Sequence, residues 1–357
     1  MAAAHRRGAV LAPIVCALAL AACGGSYGGA PVARPRGAGA DIEAAALPYQ
    51  IVDARTGKSV DEPAFWARLT AARAVCVGEE HSNPHHHWMQ LHVVRELVRR
   101  LPKGSKLALA MEMFQRPFQG MLDDYAAKKI DAAQLRTRTG YAERWGYDYG
   151  FYGPTIDAAI AGGAQLLAAN AAKELTKKIV HHGLDSLTPA EKAQLPELKL
   201  DDAAHRAWFD ALMEDMGGTS AHSKKPSDGD ASTGDPPSSD PPAEKDGGNG
   251  AAASMPSADQ IYMVQVIWDE TMADTAAGWL TANPTGHLVL LAGNGHCHDS
   301  AIVHRLRRRG IAGALSIRGV IDDGEGSVGS VLANPMNDFV LVLQPPPGAR
   351  PTSGDQK

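Results

Sequence analysis

The sequence predicts one α/β domain on a mainly parallel or mixed sheet with helices on both faces, interrupted by a disordered insertion. Three observations point there. Apolar, strand-like runs alternate with segments of helical periodicity along most of the 357 residues. Several runs are apolar throughout rather than at every second position, as in strands covered on both faces. Two of them end in the same signature, Gly-x-x-His, with polar residues gathered where ligands collect in such sheets.

Residues 1–22 read as a secretory signal. His5-Arg6-Arg7 supplies positive charge, and the apolar run from Ala9 to Leu20 is too short for a comfortable membrane span. It ends in Leu20-Ala21-Ala22-Cys23-Gly24, which resembles a bacterial lipobox. Cys23 is therefore the expected acylated N-terminus. Each buried CH₂ of such lipid contributes about 0.8 kcal/mol, so several chains anchor firmly. The next residue is Gly24, not the aspartate associated with inner-membrane retention. The expected location is the outer membrane, lipid-anchored and facing the periplasm. Residues 23–46 are rich in Gly, Ala, Pro and Arg without apolar period and read as a flexible tether.

The folded part is expected over 47–216 and 257–344. Strands are predicted at 49–53, 74–77, 106–113, 165–169, 287–292, 314–318 and 339–343. Helices fill the gaps. Ser82-Asn83-Pro84 opens one whose buried stripe is Trp88, Leu91, Val94, Leu97, Val98 and Leu101. Ser257-Ala258-Asp259-Gln260 reads as a capping box before Ile261, Val264, Trp268 and Met272 at helical spacing. Residues 217–256 offer no aromatic or β-branched aliphatic side chain to bury and cannot offset the entropy of ordering. They read as an insertion within one domain, because each side holds only one Gly-x-x-His copy. Residues 345–357 read as a tail.

A net charge of −5 leaves no electrostatic footprint for nucleic acid, and 44% hydrophobic residues support a substantial core. Of four cysteines, Cys16 leaves with the signal and Cys23 is lipidated. Cys76 and Cys297 remain, each beside a Gly-x-x-His copy. Either they meet as a disulfide in an oxidising compartment, or they are two small buried residues in adjacent strands.

The first copy is Gly78-Glu79-Glu80-His81; the second is Gly293-Asn294-Gly295-His296, with His298 close behind. Imidazoles and carboxylates at two strand ends suggest one shared site for a metal ion or a metal-bearing cofactor. His81 follows two glutamates, so it suits a metal ligand with an outer carboxylate or a general base held in one tautomer. His85, His86 and His87 point in different directions on the next helical turn, so one or two of them are expected to be only solvated. Glu112 closes the apolar run Leu107-Ala108-Leu109-Ala110-Met111 and must have a partner or a function. Asn170 either caps the following helix or contacts a ligand. Residues 141–152 concentrate the chain's sparse 6% aromatic content, including Tyr147, Tyr149 and Tyr152. This segment either lines a pocket for a flat hydrophobic ligand or packs on the core. In the first case a tyrosinate suits haem iron and Arg144 suits a propionate. Cys-x-x-Cys-His, His-Glu-x-x-His and phosphate-binding P-loop motifs are absent from the sequence.

A longer series of short motifs resembles the ChaN-type haem-binding uptake lipoproteins of the Tiki superfamily. It runs from Ile51-Val52-Asp53-Ala54-Arg55-Thr56-Gly57 through Val77-Gly78-Glu79-Glu80-His81-Ser82-Asn83-Pro84 and Met111-Glu112-Met113-Phe114. It continues through Arg144-Trp145-Gly146, Leu167-Ala168-Ala169-Asn170, Gln265, Trp268-Asp269 and Ala292-Gly293-Asn294-Gly295-His296. Each piece alone is unspecific; their order covers most of the folded chain. The resemblance implies haem as cofactor, a role in haem or iron uptake, a haem-uptake receptor as partner, and a homodimer. The haem contacts it suggests are His81, Arg144, Tyr147, Tyr149, Tyr152, Asn170, His296 and His298. The superfamily also contains metal-dependent proteases similar to Tiki and hydrolases resembling erythromycin esterase. By that likeness Glu80, His81, Glu112 and His296 would be catalytic, with a divalent metal on His81, Glu112 and His296. Haem binding is the preferred expectation and a metal-dependent hydrolase the alternative.

Overall fold

Apolar runs flanked by helices on both sides have nowhere to go but the middle of a covered sheet, and that is where they lie. The computed structural model describes residues 47–215, 256–324 and 326–344. The expected signal segment, the tether with Cys23, the insertion up to residue 255 and the tail lie outside the described residues. The strands are β1 (Tyr49–Asp53), β2 (Lys58–Ser59), β3 (Ala74–Glu79), β4 (Leu107–Gln115), β5 (Gln165–Asn170), β6 (His287–Gly293), β7 (Ala314–Ile321) and β8 (Phe339–Leu343). Every strand read from the sequence forms, most of them extended at the carboxyl end. The added strand, β2, is two polar residues long and carries no apolar signal.

The strands form one sheet in the order β2-β1-β8-β7-β3-β6-β4-β5. The six from β8 to β5 run parallel, and β1 and β2 complete one edge antiparallel. Both halves of the folded chain therefore share one sheet. Along β3, Val75 and Val77 face one core while Ala74 and Cys76 face the other. Helix Pro84–Arg100 covers the first with Met89, Leu91, Val94 and Leu97; helix Ala258–Ala282 covers the second with Ile267, Met272, Ala273 and Ala276. Each large apolar side chain buried there contributes about 1.5–3 kcal/mol.

Both helices start as their sequences predict. Asn83 accepts a bond from the His85 amide at 3.0 Å with Pro84 in the first turn, and Ser257 and Gln260 cap each other reciprocally at 3.2 and 2.7 Å. These starts matter because the helix at Pro84 leaves the carboxyl end of β3 and fixes the direction of the loop that carries His81.

The register brings the chemistry together. β6 lies between β3 and β4, with Glu79 opposite Gly293 and Met111 opposite Leu291. Three adjacent carboxyl ends thus lead into His81, His296 and Glu112. Cys76 on β3 and Cys297 form a disulfide, with Cα atoms 5.4 Å apart and 221 positions between them in sequence. Cys297 stands in the turn after β6 rather than in a strand, and the two sulfurs are joined rather than merely neighbours. Among the described residues no helix is long and apolar enough to cross a membrane.

A covalent link across so long a loop restricts the unfolded chain strongly. Replacing both cysteines with alanine should lower the unfolding free energy by about 2–5 kcal/mol. Equilibrium urea titration of the oxidised wild type and the double variant measures this. Superimposable curves would mean that the link contributes nothing to the native state.

Candidate functional site

Each Gly-x-x-His copy has its glycine pressed against the other copy. A Cβ on Gly293 would stand 3.0 Å from Cε1 and 3.2 Å from Nε2 of His81. A Cβ on Gly78 would collide with the side-chain oxygen of Asn294. Neither glycine has a positive φ, so these positions need the missing side chain and not an unusual backbone. Close approach is what they supply.

His81 is buried, and its Nδ1 meets Oε1 of Glu79 at 2.7 Å. Glu79 also accepts the phenol proton of Tyr152 at 2.6 Å, and its Oε2 lies 3.3 Å from His87 Nδ1. Burial alone would raise the Glu79 carboxyl, but His87 and His81 reverse this and hold it well below its ordinary range. The carboxylate beside His81 is thus Glu79. Glu80 turns away, accepting from Asn83 at 3.1 Å while its amide donates to His86 Nδ1 at 2.9 Å. Of the three consecutive histidines, His86 and His87 are buried and His85 is half-buried.

Glu112 joins the two strand ends. Its Oε2 accepts from the Gly293 amide at 2.7 Å, and its Oε1 lies 3.3 Å from His296 Nε2. His296 Nδ1 meets Oδ1 of Asp269 at 2.6 Å. Burial opposes charge on this imidazole, yet the carboxylates of Glu112 and Asp269 push its pKa up to about 10. Asp269, in the middle of helix Ala258–Ala282, is held well below its ordinary range despite burial, by Arg305 and His296. Burial would likewise raise Glu112, but His296 and His81 hold it down. The result is a buried, water-poor cluster of fixed charges able to hold a polar ligand group or move a proton.

One wall of the cluster is aromatic. The Trp145 and Tyr147 rings each lie 4.7 Å from the His81 ring, and both are half-buried. Phe151 stacks on His87 at 4.4 Å. The aromatic segment is therefore both core and wall: Tyr141 and Tyr152 are buried, while Trp145 and Tyr147 reach its edge. Tyr149 packs edge-on to Tyr141, outside the cluster. Arg144 is engaged by Glu174 and donates to Gln115 at 2.7 Å. Asn170 accepts from the Ala171 amide at 2.8 Å, while the following helix, Lys173–His182, has Ala172 at its start and no side-chain cap. His298 lies on the far side of Asp269, with its ring 4.3 Å from Trp208 and its Nδ1 3.1 Å from the Ser300 hydroxyl.

The structure thus brings His81, Glu112 and His296 together and leaves Glu80, Arg144, Tyr149 and Asn170 outside. Four further residues complete the cluster: Glu79, His87, Asp269 and His205, whose Nε2 is 3.0 Å from Oδ2 of Asp269. Among the described residues no group of three or more His, Cys, Asp or Glu side chains is arranged to hold a metal ion.

The family described as haem-binding uptake, Tiki superfamily, ChaN matches residues 65–306. Among solved structures, ChaN of Campylobacter jejuni, described as binding haem cofacially, is similar at a TM-score of 0.56 and 15% identity. That match covers 83% of this chain and 97% of that one, and it shows a shared fold. An erythromycin esterase, EreC in its open conformation, gives a TM-score of 0.37 and 11% identity over 84% of this chain and 83% of its own. Protein RETICULATA-RELATED 5, chloroplastic, of Arabidopsis thaliana is 26% identical over 137 residues, 37% of this chain. The match spans only 18% of that protein's length.

The cluster makes stability depend on pH in both directions. His296 has a folded pKa of about 10 against an ordinary 6.5, so its contribution is complete below 6.5 and fades as pH rises toward 10. Burial pushes His298 down to about 3 and His86 down to about 4, so their contribution is present above 6.5 and fades as pH falls. Unfolding free energy should therefore peak near pH 6–7. Urea titrations from pH 4 to 10 measure it, and His296→Gln should flatten the alkaline limb. A monotonic profile would contradict this assignment of charges.

Proposed function

The chain belongs to the Tiki-superfamily haem-binding uptake family of ChaN, and on that premise we propose that it is a haem-binding lipoprotein serving haem or iron uptake. The observation that carries this is the half-buried Tyr147 ring set against His81 at the rim of the cluster. A phenol oxygen and an imidazole beside an aromatic wall are the donor set and the surface that a flat iron macrocycle needs. Bound haem would supply the iron centre, and Tyr147 and His81 are the residues that would hold it. Among the tyrosines of the segment, Tyr147 is the one whose ring lies against His81. The Tyr152 phenol is committed to Glu79, and burial pushes it well above its ordinary value. Burial raises Tyr149 as well. Neither readily becomes a tyrosinate. His81, oriented by Glu79, and Trp145 beside it would line the site.

The Cys76–Cys297 disulfide supports an oxidising compartment, and with the lipobox at Cys23 it favours an outer-membrane anchor and a domain in the periplasm. A haem-uptake receptor and a second copy of this chain are the partners such a role implies.

The convergence of His81, Glu112 and His296 favours the second reading, a hydrolase. These residues do not form a metal site as they stand: among the described residues no group of three or more His, Cys, Asp or Glu side chains is arranged to hold an ion. Ester or peptide turnover that is lost in His296→Ala, without saturable haem binding, would favour that reading.

Haemin titrated into purified protein should give a saturable, stoichiometric Soret shift. Tyr147→Phe should change the band position and weaken binding, whereas Tyr149→Phe should change neither. His81→Ala should weaken binding with less effect on the band. A spectrum no different from haemin on an unrelated protein rules the reading out. Separately, Cys23→Ser should release the protein from membranes into the soluble fraction; persistent membrane association on fractionation would count against the anchor.

A further inference from the structure

Each strand-end histidine has a buried carboxylate and a second imidazole behind it. Glu79 meets His81 with one oxygen and His87 with the other, at 2.7 and 3.3 Å. Asp269 meets His296 with one oxygen and His205 with the other, at 2.6 and 3.0 Å. All six side chains are buried. Such an imidazole–carboxylate–imidazole unit is costly to bury, and its surroundings do not require it. His205 stands beside an apolar cluster of Phe209, Tyr262 and Val266 that another apolar side chain could join.

The donor pattern at His205 is unambiguous. Its Nδ1 lies 3.3 Å from an Arg305 guanidinium nitrogen, which can only donate, so Nδ1 accepts and the ring proton sits on Nε2, which faces Oδ2 of Asp269 at 3.0 Å. Arg305 is itself divided between Asp269 at 3.6 Å and Glu270 at 3.3 Å. It supplies charge to Asp269 from 3.6 Å, while His205 supplies the shorter contact, 3.0 Å to Oδ2.

We propose that His205 is a positioning residue. Through Asp269 it fixes the ring of His296 with Nε2 toward Glu112, and so sets the geometry a ligand meets at the strand ends. The ligand part of this inference rests on the haem-binding reading; the orientation of His296 does not. His87 stands behind Glu79 at a longer 3.3 Å, with its Nε2 on the His81 carbonyl oxygen at 3.0 Å.

The test uses the full chain labelled with [¹⁵N]histidine, without ligand and then with haemin. The hydrogen-bonded Nδ1–H resonance of His296, identified by its disappearance in His296→Gln, should be sharp in the wild type. His205→Leu keeps bulk but removes the donor and should broaden or abolish that resonance. His205→Gln restores a donor and should restore the resonance, which a merely space-filling role would not require. Haemin affinity should fall about tenfold in His205→Leu, the lower end of what loss of an outer partner costs at such sites, and recover in His205→Gln. An unchanged His296 resonance in folded His205→Leu overturns the proposal. If that variant does not fold, His205→Asn, polar but too short to reach Asp269, takes its place under the same criteria. A wild type that binds no haemin overturns the functional reading alone, since the resonance still decides the positioning.

Discussion

β3 and β6 pair in register to their last residues, and the turns beyond them interlock through what their glycines lack. Gly78 makes room for Asn294, and Gly293 makes room for the His81 ring. Glu112 then reaches from β4 to bond the Gly293 amide, which tightens the third strand end onto the other two. A side chain at either glycine would push the strand ends apart, and the histidines with them. The disulfide reinforces the same junction, since Cys76 precedes Gly78 by two residues and Cys297 follows His296 directly. Backbone approach and covalent link thus act on one spot, from which the geometry of every group in the cluster follows.

The electrostatics depend on that closeness. Glu79, Glu112 and Asp269 are all buried, and an isolated buried carboxylate would neutralise itself rather than stay charged. Each stays charged because imidazoles, with Arg305 behind Asp269, stand within bonding distance. Networks of this kind add little net stability over an apolar core, but removing one member strands the rest at a cost of about 3–5 kcal/mol. Their use is a set of dipoles already oriented before a ligand arrives. His298 and His86 show the converse: buried with less compensating charge, they stay neutral at ordinary pH.

Most of the fold was legible in the sequence because continuous apolar runs are a strong signal for strands covered on both faces, and 287–292 and 339–343 are of that kind. β2 was not, because two polar residues leave no pattern. In the cluster, His81, Glu112 and His296 could be read because each stands at the end of an apolar run. Which of Glu79 and Glu80 faces His81 follows from the parity of β3. Val75, Val77 and Glu79 share one face, so Glu79 stays with the strand while Glu80 already belongs to the turn. Asp269 also carried a signal: it follows Val266-Ile267-Trp268, and an acid inside so apolar a helical stretch must be paired. His205 carried none. It sits in a short amphipathic helix far along the chain, and only the packing of helix Ala203–Asp215 on helix Ala258–Ala282 brings it to Asp269.

The floor and the wall of this site have different origins, and that difference bears on what it binds. The floor is made by strand ends and by helices packed on them, so it is set by the same register that builds the sheet. The aromatic wall comes from the connection between β4 and β5, where Trp145 and Tyr147 stand half-buried beside His81. A loop can change its side chains without disturbing the sheet, whereas Glu112 or Gly293 cannot change without opening it. A floor of fixed charges suits many ligands. The wall adds flat rings with one phenol at the edge, and it comes from the part of the chain that the sheet constrains least.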